Sequence, residues 1–210
     1  MRCCLLLFAA RSVHHALGAV GIVLGLACLA PAGAEGLPLN SVVRFNTVCA
    51  NCHEAQCSGR LAFGSGAEAA RGHMERYLGP LTDDEVGFLF RILGHTKEHC
   101  AHYPVAERVP SDLVWTEADL EPWRNAQEGG YFIPLGQLDP GRYRLEMVLA
   151  AALRFRLKIS DDGFEPMVEE VFCVHEPTAI EFELDGASRY YLTLGGAQAL
   201  RVLKLSIERR

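Results

Sequence analysis

The stretch "GRYRLEMVLAAALRFRLKIS", Gly141 to Ser160, decides the fold. In its first half Tyr143, Leu145, Met147 and Leu149 alternate with Arg142, Arg144 and Glu146, and "RFRLKI" alternates in the same way. A period of two puts the apolar side chains on one face of a pleated strand and the charges on the other. The texture recurs in "AIEFEL" and "LKLSIE", with Gly, Pro or Asp punctuating the gaps at "LDPGR", "SDDGFEP" and "ELDGASR". About six or seven short strands at that spacing predict an antiparallel β-sandwich over residues 130–210.

Upstream, over residues 38–104, the period is that of a helix. "SGAEAARGHMERYLG" opens with Ser65 and Glu68 at capping-box spacing and places Ala70, Met74 and Tyr77 on one face. "TDDEVGFLFRILGHTKEH" opens with Thr82 and Glu85 at the same spacing. Its acids lie at the start, its Lys97 and histidines near the end, and Val86, Leu89, Phe90 and Leu93 form one apolar stripe. Residues 105–129 form a connector, in which Thr116 caps a short helix and Trp115 and Trp123 are expected to pack it onto a neighbour. The predicted fold class is therefore α+β in two domains, a small all-α part followed by an all-β antiparallel sandwich.

The beginning of the chain reads as a leader. Arg2 and Arg11 precede the uncharged run "ALGAVGIVLGLACLA", and "PAGAEG" offers a cleavage point after Ala34. Residues 1–34 are expected to act as a signal peptide; if uncleaved, they would act as a membrane anchor. Of the eight cysteines, Cys3, Cys4 and Cys28 would leave with the leader and five would stay. Asp and Glu number 26 against 20 Lys and Arg, without a basic run, so nucleic acid is excluded as the expected partner.

The segment "FNTVCANCHEAQCSGRL", residues 45–61, concentrates the chemistry. A zinc site needs a second pair of ligands that this single Cys-x-x-Cys does not supply, and using His53 and Cys57 would crowd the ion. A thioredoxin-like pair belongs after a strand in an α/β unit, and the strands here lie far downstream. Haem suits the spacing. Cys49 and Cys52 share a turn of helix and can add to two vinyl groups on one edge of a porphyrin, while His53 meets the iron from one side.

With "CANCH" near its start and "LTDDEVGFLFRIL" as a closing helix, the region from about Asn40 to Pro104 resembles the small class I c-type cytochromes. The resemblance implies one covalently attached haem c, with Cys49 and Cys52 as thioether attachments and His53 as proximal ligand. Class I relatives bring a methionine from a loop well downstream. Here Met74, the candidate sixth ligand, stands on a helix, and His73 is the alternative; His95, His99 and His102 crowd around Cys100, and an open sixth position is a further arrangement. With two thiols taken by haem, Cys57 and Cys100 are expected to form a disulfide, worth about 3–4 kcal/mol. Cys173, in "EEVFCVHE", is expected to be a buried small apolar residue.

A helical domain of about 65 residues buries little surface alone, so haem is expected to fill much of its core. The resulting expectation is a periplasmic carrier of single electrons in a Gram-negative cell, not an enzyme, with redox proteins or a membrane electron-transfer complex as partners and the sandwich as docking module. The alternatives are a haem enzyme or gas sensor with an open sixth position, or a glycan- or peptide-binding protein with auxiliary haem. The sandwich resembles jelly-roll or pre-peptidase accessory domains through its strand pattern and "YYLTLGG". Of Tyr190 and Tyr191, one is expected in the core and the other is left as a sugar platform.

Overall fold

The structure, a computed structural model, describes residues 36–53, 66–106, 108–151, 153–174, 178–196 and 199–210. Gly36–Arg210 is one compact unit. The leader-like residues 1–34, Cys57 and Ser65 lie outside the described residues.

Eight strands carry the fold: β1 (Val114–Thr116), β2 (Tyr131–Leu138), β3 (Gly141–Leu149), β4 (Leu153–Asp161), β5 (Pro166–Val174), β6 (Thr178–Leu184), β7 (Ser188–Gly195) and β8 (Val202–Arg209). They form two four-stranded antiparallel sheets, ordered β1-β8-β3-β6 and β2-β7-β4-β5. The alternation read from the sequence is the alternation of burial. Along β6, Thr178, Ile180, Phe182 and Leu184 are buried while Ala179, Glu181 and Glu183 face water. The buried rows of both sheets meet in a core that includes Leu145, Met147, Phe155, Leu157, Leu192 and Leu205. Within the connector, β1 pairs with β8 and places Trp115 in this core, and Thr116 closes a capping box with Asp119 at helix α5 (Glu117–Leu120).

The strands β2 and β7 break the alternation. Every residue of β2 except Gln137 is buried, and Tyr190 and Tyr191 are both buried. Strands covered on both faces lose the polar half of the pattern, and here helices supply the second cover. A helical run begins with α1 (Leu39–Arg44), widens into a π-helical turn (Phe45–Cys49) and ends in α2 (Ala50–His53). Then come α3 (Gly66–Leu78) and α4 (Asp83–His99), the latter opened by the expected Thr82–Glu85 capping box. Val42, Phe45, Leu78, Leu89 and Ile92 gather with Phe132 of β2 and Tyr191 of β7 into a second core. The expected all-α body closed on itself is therefore corrected: the helical layer completes its core with two aromatic rings of a sheet, which stack 5.2 Å apart at 6°.

Polar links fasten this layer. Arg44 donates to Glu85 Oε1 and to the Leu78 carbonyl, both at 2.9 Å, tying α1 to the ends of α3 and α4. Asn125 Nδ2 donates to Thr47 Oγ1 at 2.9 Å, and Thr47 donates to the Val43 carbonyl. His102 is buried between Phe132, Phe164 and Tyr191, its ring centre 4.2 Å from that of Phe164. Asn46 Nδ2 donates to the Val42 carbonyl, which leaves Oδ1 to accept from His102 Nδ1 at 3.1 Å. The imidazole is thereby held as the neutral Nδ1–H form.

Burial, and secondarily Lys158, push the His102 pKa down to about 3. The unfolded chain takes up a proton near pH 6.5 and the folded chain does not, so this stability is whole above that value and is lost as pH falls toward 3. We predict a loss of about 2–3 kcal/mol between pH 7.5 and 4.5 attributable to His102, read as the difference in urea-unfolding free energy between the native chain and His102→Gln. Equal pH slopes for the two would refute it.

Candidate functional site

Two clefts flank the π-helical turn, and Val48 lines both. The first is an apolar cavity of about 300 Å³ between that turn, α3 and α4, with Phe45, Ala70, Met74, Leu89 and Leu93 among its walls. Cys49, Cys52 and His53 open onto it together, because spacings of three and four residues bring them to one side of the helical run within little more than one turn. Burial pushes the Cys49 thiol up to about 11, against a smaller opposing effect of Arg44. A thiol so placed is neither a ready thiolate nucleophile nor a ready redox partner. Burial, then the nearby His73 and Lys97, lower the pKa of His53, and its buried Nδ1 has no hydrogen-bond partner. The structure brings His73 to His53, ring centres 5.9 Å apart and nearly perpendicular, while Met74 is a buried wall residue. His95, His99 and His102 do not line this cleft. His95 packs at a tilt against His99 and edge-on to Tyr103, and His102 belongs to the joint with the sheet.

The second cleft, of about 540 Å³, lies over the half of sheet β2-β7-β4-β5 that the helices leave uncovered. Its floor is the outward row of β4, Arg154, Arg156 and Lys158, beside Thr193 of β7 and Val171 of β5. Asn46, Thr47 and Asn51 form one wall and Glu128 closes an end. Two glycines let the walls approach. A Cβ on Gly130 would stand 2.8 Å from the Leu194 carbonyl oxygen, and one on Gly196 would stand 2.9 Å from that of Arg154. Arg156 pairs with Glu169, and that hydrogen bond draws the Glu169 carboxyl below its ordinary range. No spacing in the sequence announced this cleft, since its residues come from distant segments; the row of three cations on one face of β4 was the available signal.

Several expectations change. Tyr190 lies in the inter-sheet core, its hydroxyl donating to the Gly186 carbonyl, and Tyr191 lies in the helical core, so neither offers a sugar platform. Cys173 is exposed on β5, a sheet edge, because that strand's outer face has no cover. Among the described residues no group of three or more His, Cys, Asp or Glu side chains converges on a metal position, and no disulfide joins two of them. Cys57, the expected partner of Cys100, lies outside them. Among the described residues the expected disulfide and a metal-binding cluster of protein side chains are not found; what the apolar cleft presents is two thiols and an imidazole whose buried Nδ1 has no hydrogen-bond partner.

No family model matches the chain, and no curated protein matches it. Among solved structures it is similar to the carbohydrate-binding module CBM1 of BiXyn10A in its apo form, at 14% identity and a TM-score of 0.31, covering 40% of this chain and 67% of that one. A mutant of CBM29-2, a family 29 carbohydrate binding module, matches at 13% identity and a TM-score of 0.26, over 40% of this chain and 61% of that one. An exo-beta-1,3-galactanase from Phanerochaete chrysosporium with galactose matches at 15% and 0.28, over 38% of this chain and 21% of that one. Likenesses at these levels carry no ligand to this chain. The expected periplasmic single-electron carrier is corrected on these findings: neither a cytochrome family model nor a curated cytochrome answers to the chain, and the solved structures named are carbohydrate-binding modules and a galactanase.

In the purified chain with its thiols unmodified, alkylation at pH 8 should label Cys173 and Cys52, both exposed, well before Cys49, by on the order of 10- to 100-fold in rate. Peptide mass mapping over time measures this, and equal rates at Cys49 and Cys52 would contradict the burial of the former.

Proposed function

We propose that the chain is an exported glycan-binding protein, not an enzyme, whose sandwich carries the binding cleft and whose helical layer carries one covalently attached haem c as an auxiliary group. The observation that carries the first part is the open cleft of about 540 Å³, edged by charged, hydroxyl and amide side chains, on the half of a sheet that the described helices leave open. Its volume falls among those of ligand sites, and its guanidinium, ammonium, hydroxyl and amide groups stand on regular strands and a helix that hold them in place. Sugars present hydroxyls in a fixed array and are recognised by donors and acceptors fixed in turn. The leader pattern of residues 1–34 supports export, to the periplasm if the cell has one.

The auxiliary group rests on the other cleft. Among the described residues no group of three or more His, Cys, Asp or Glu converges there; an iron held within an organic ring brings its own nitrogen ligands and needs no such group. An apolar cavity with two thiols on one wall and an unpartnered imidazole nitrogen fits such a ring. Cys49 and Cys52 would hold it by thioethers, as "CANCH" does in the c-type cytochromes it resembles, and His53 would ligate the iron, with His73, whose ring lies 5.9 Å from that of His53, and Met74 in the cleft wall as the candidates for a second ligand. When bound, haem supplies an iron centre and a broad apolar face. The chain's own residues would orient the ring through Cys49, Cys52 and His53, and the apolar walls would limit water around it.

Produced with the machinery for attaching haem, the mature chain should gain one haem in mass that survives acid extraction, and Cys49→Ala with Cys52→Ala should abolish the gain. Recovery of an unmodified native chain would end the cofactor proposal. In native gels cast with soluble polysaccharides, the chain should be retarded by at least one of them, and Thr193→Trp, which fills the cleft, should remove the retardation while leaving the thermal melt intact. No retardation across neutral and acidic polysaccharides would end the glycan reading.

A further inference from the structure

We infer that the cleft on the sandwich selects acidic glycans, chains bearing uronic carboxylates, over neutral ones; the inference rests on the glycan reading and gives it a substrate class. Arg154 and Arg156 alternate along β4 and are both exposed on the cleft side, about 7 Å apart; Lys158, next on that face, lines the cleft but is only 7% exposed. The row runs against the overall balance of the chain, which carries a formal net charge of −6. Two carboxylates stand near it. Glu169 is engaged by Arg156, and Glu128 closes the far end. The neighbouring outward residues, Thr193 and Val171, are neutral.

What the cleft lacks decides between acidic and neutral ligands. Neutral sugars are held in large part by stacking on an exposed aromatic face, and among the described residues that line this cleft the aromatic one, Phe155, is 1% exposed with its ring in the inter-sheet core. Both tyrosines of β7 are buried as well. Affinity must therefore come from charge and hydrogen bonds. A planar guanidinium offers two parallel donors that match the two oxygens of a carboxylate, and strand spacing presents the two exposed forks of Arg154 and Arg156 in a line, while the buried Lys158 adds its positive charge from beneath the surface. The Glu169 carboxylate bonded to Arg156 occupies the position a ligand carboxylate would take.

Isothermal titration of the full mature chain with oligogalacturonate and with a cello-oligosaccharide of equal length tests this. The acidic oligomer should bind at least about tenfold more tightly. Its affinity should fall by at least that factor in Arg154→Ala with Arg156→Ala, and weaken as salt rises from about 50 to 300 mM. Glu169→Gln, which frees Arg156, should tighten binding of the acidic oligomer and leave the neutral one unchanged. Unchanged thermal melts establish that the variants fold. Equal binding of the two oligomers, or binding of the acidic one that the double variant does not weaken, overturns the inference while the glycan reading stands. Binding of neither oligomer overturns the inference; retardation by other polysaccharides then decides whether the glycan reading survives it.

Discussion

Two aromatic rings on the outer face of one sheet, Phe132 and Tyr191, must be kept from water, and this requirement sets the arrangement of the rest of the molecule. Covering a large aromatic is worth about 2–3 kcal/mol. The two strands that carry these rings are the ones the helical layer covers, and α1, α3 and α4 reciprocate with an apolar face of their own. Among the described residues the layer reaches Lys158 and Ser160 of β4 but not Arg154, Arg156 or the outward residues of β5, Glu169, Val171 and Cys173. The polar cleft is the remainder of an incomplete covering, and the apolar cleft is the gap left inside the cover itself.

Much of this architecture was legible in the sequence, and the limits of legibility have physical causes. Period-two alternation placed β3, β6, β8 and the first half of β4 because each has one face in the core and one turned mainly to water; from Leu157 to Ser160 β4 is buried on both faces. Capping boxes at Thr82 and Thr116 marked helix starts because the side-chain and backbone groups that close them lie within four residues. "YFIPLGQL" and "YYLTL" do not alternate, since helices hide their second face, and no local pattern reveals which distant segment does the hiding. Tyr191 was misjudged for that reason. Cys173 was misjudged for the opposite one, its strand lying at an edge where an apolar residue finds no cover.

The candidate sites divide in the same way. The cysteines and histidine of the apolar cleft are neighbours in sequence, so their proximity was certain from the start; the companionship of His73 with His53 was a consequence of how α3 rotates. The polar cleft draws on residues 46–51, 128–130, 154–158 and 193–196, and only tertiary structure assembles them. A local motif reports which chemical groups can act together. It says little about the purpose of a chain whose larger part lies elsewhere, and the electron-carrier reading overreached by letting seventeen residues speak for the sandwich.

The π-helical turn at Phe45–Cys49 makes the length of the chain, and not merely its composition, a constraint at this point. Such a turn holds one residue more than an α-helical turn, and each residue rotates the remainder of the helix by about 100°. Losing any single residue here would swing Cys49, Cys52 and His53 off the apolar cleft and strip Asn51 from the polar one, although every remaining side chain were kept. Across descendants of this sequence the segment should therefore tolerate substitution more readily than deletion, and the spacing from Asn46, which anchors to His102, to Cys52 should be inherited as a unit.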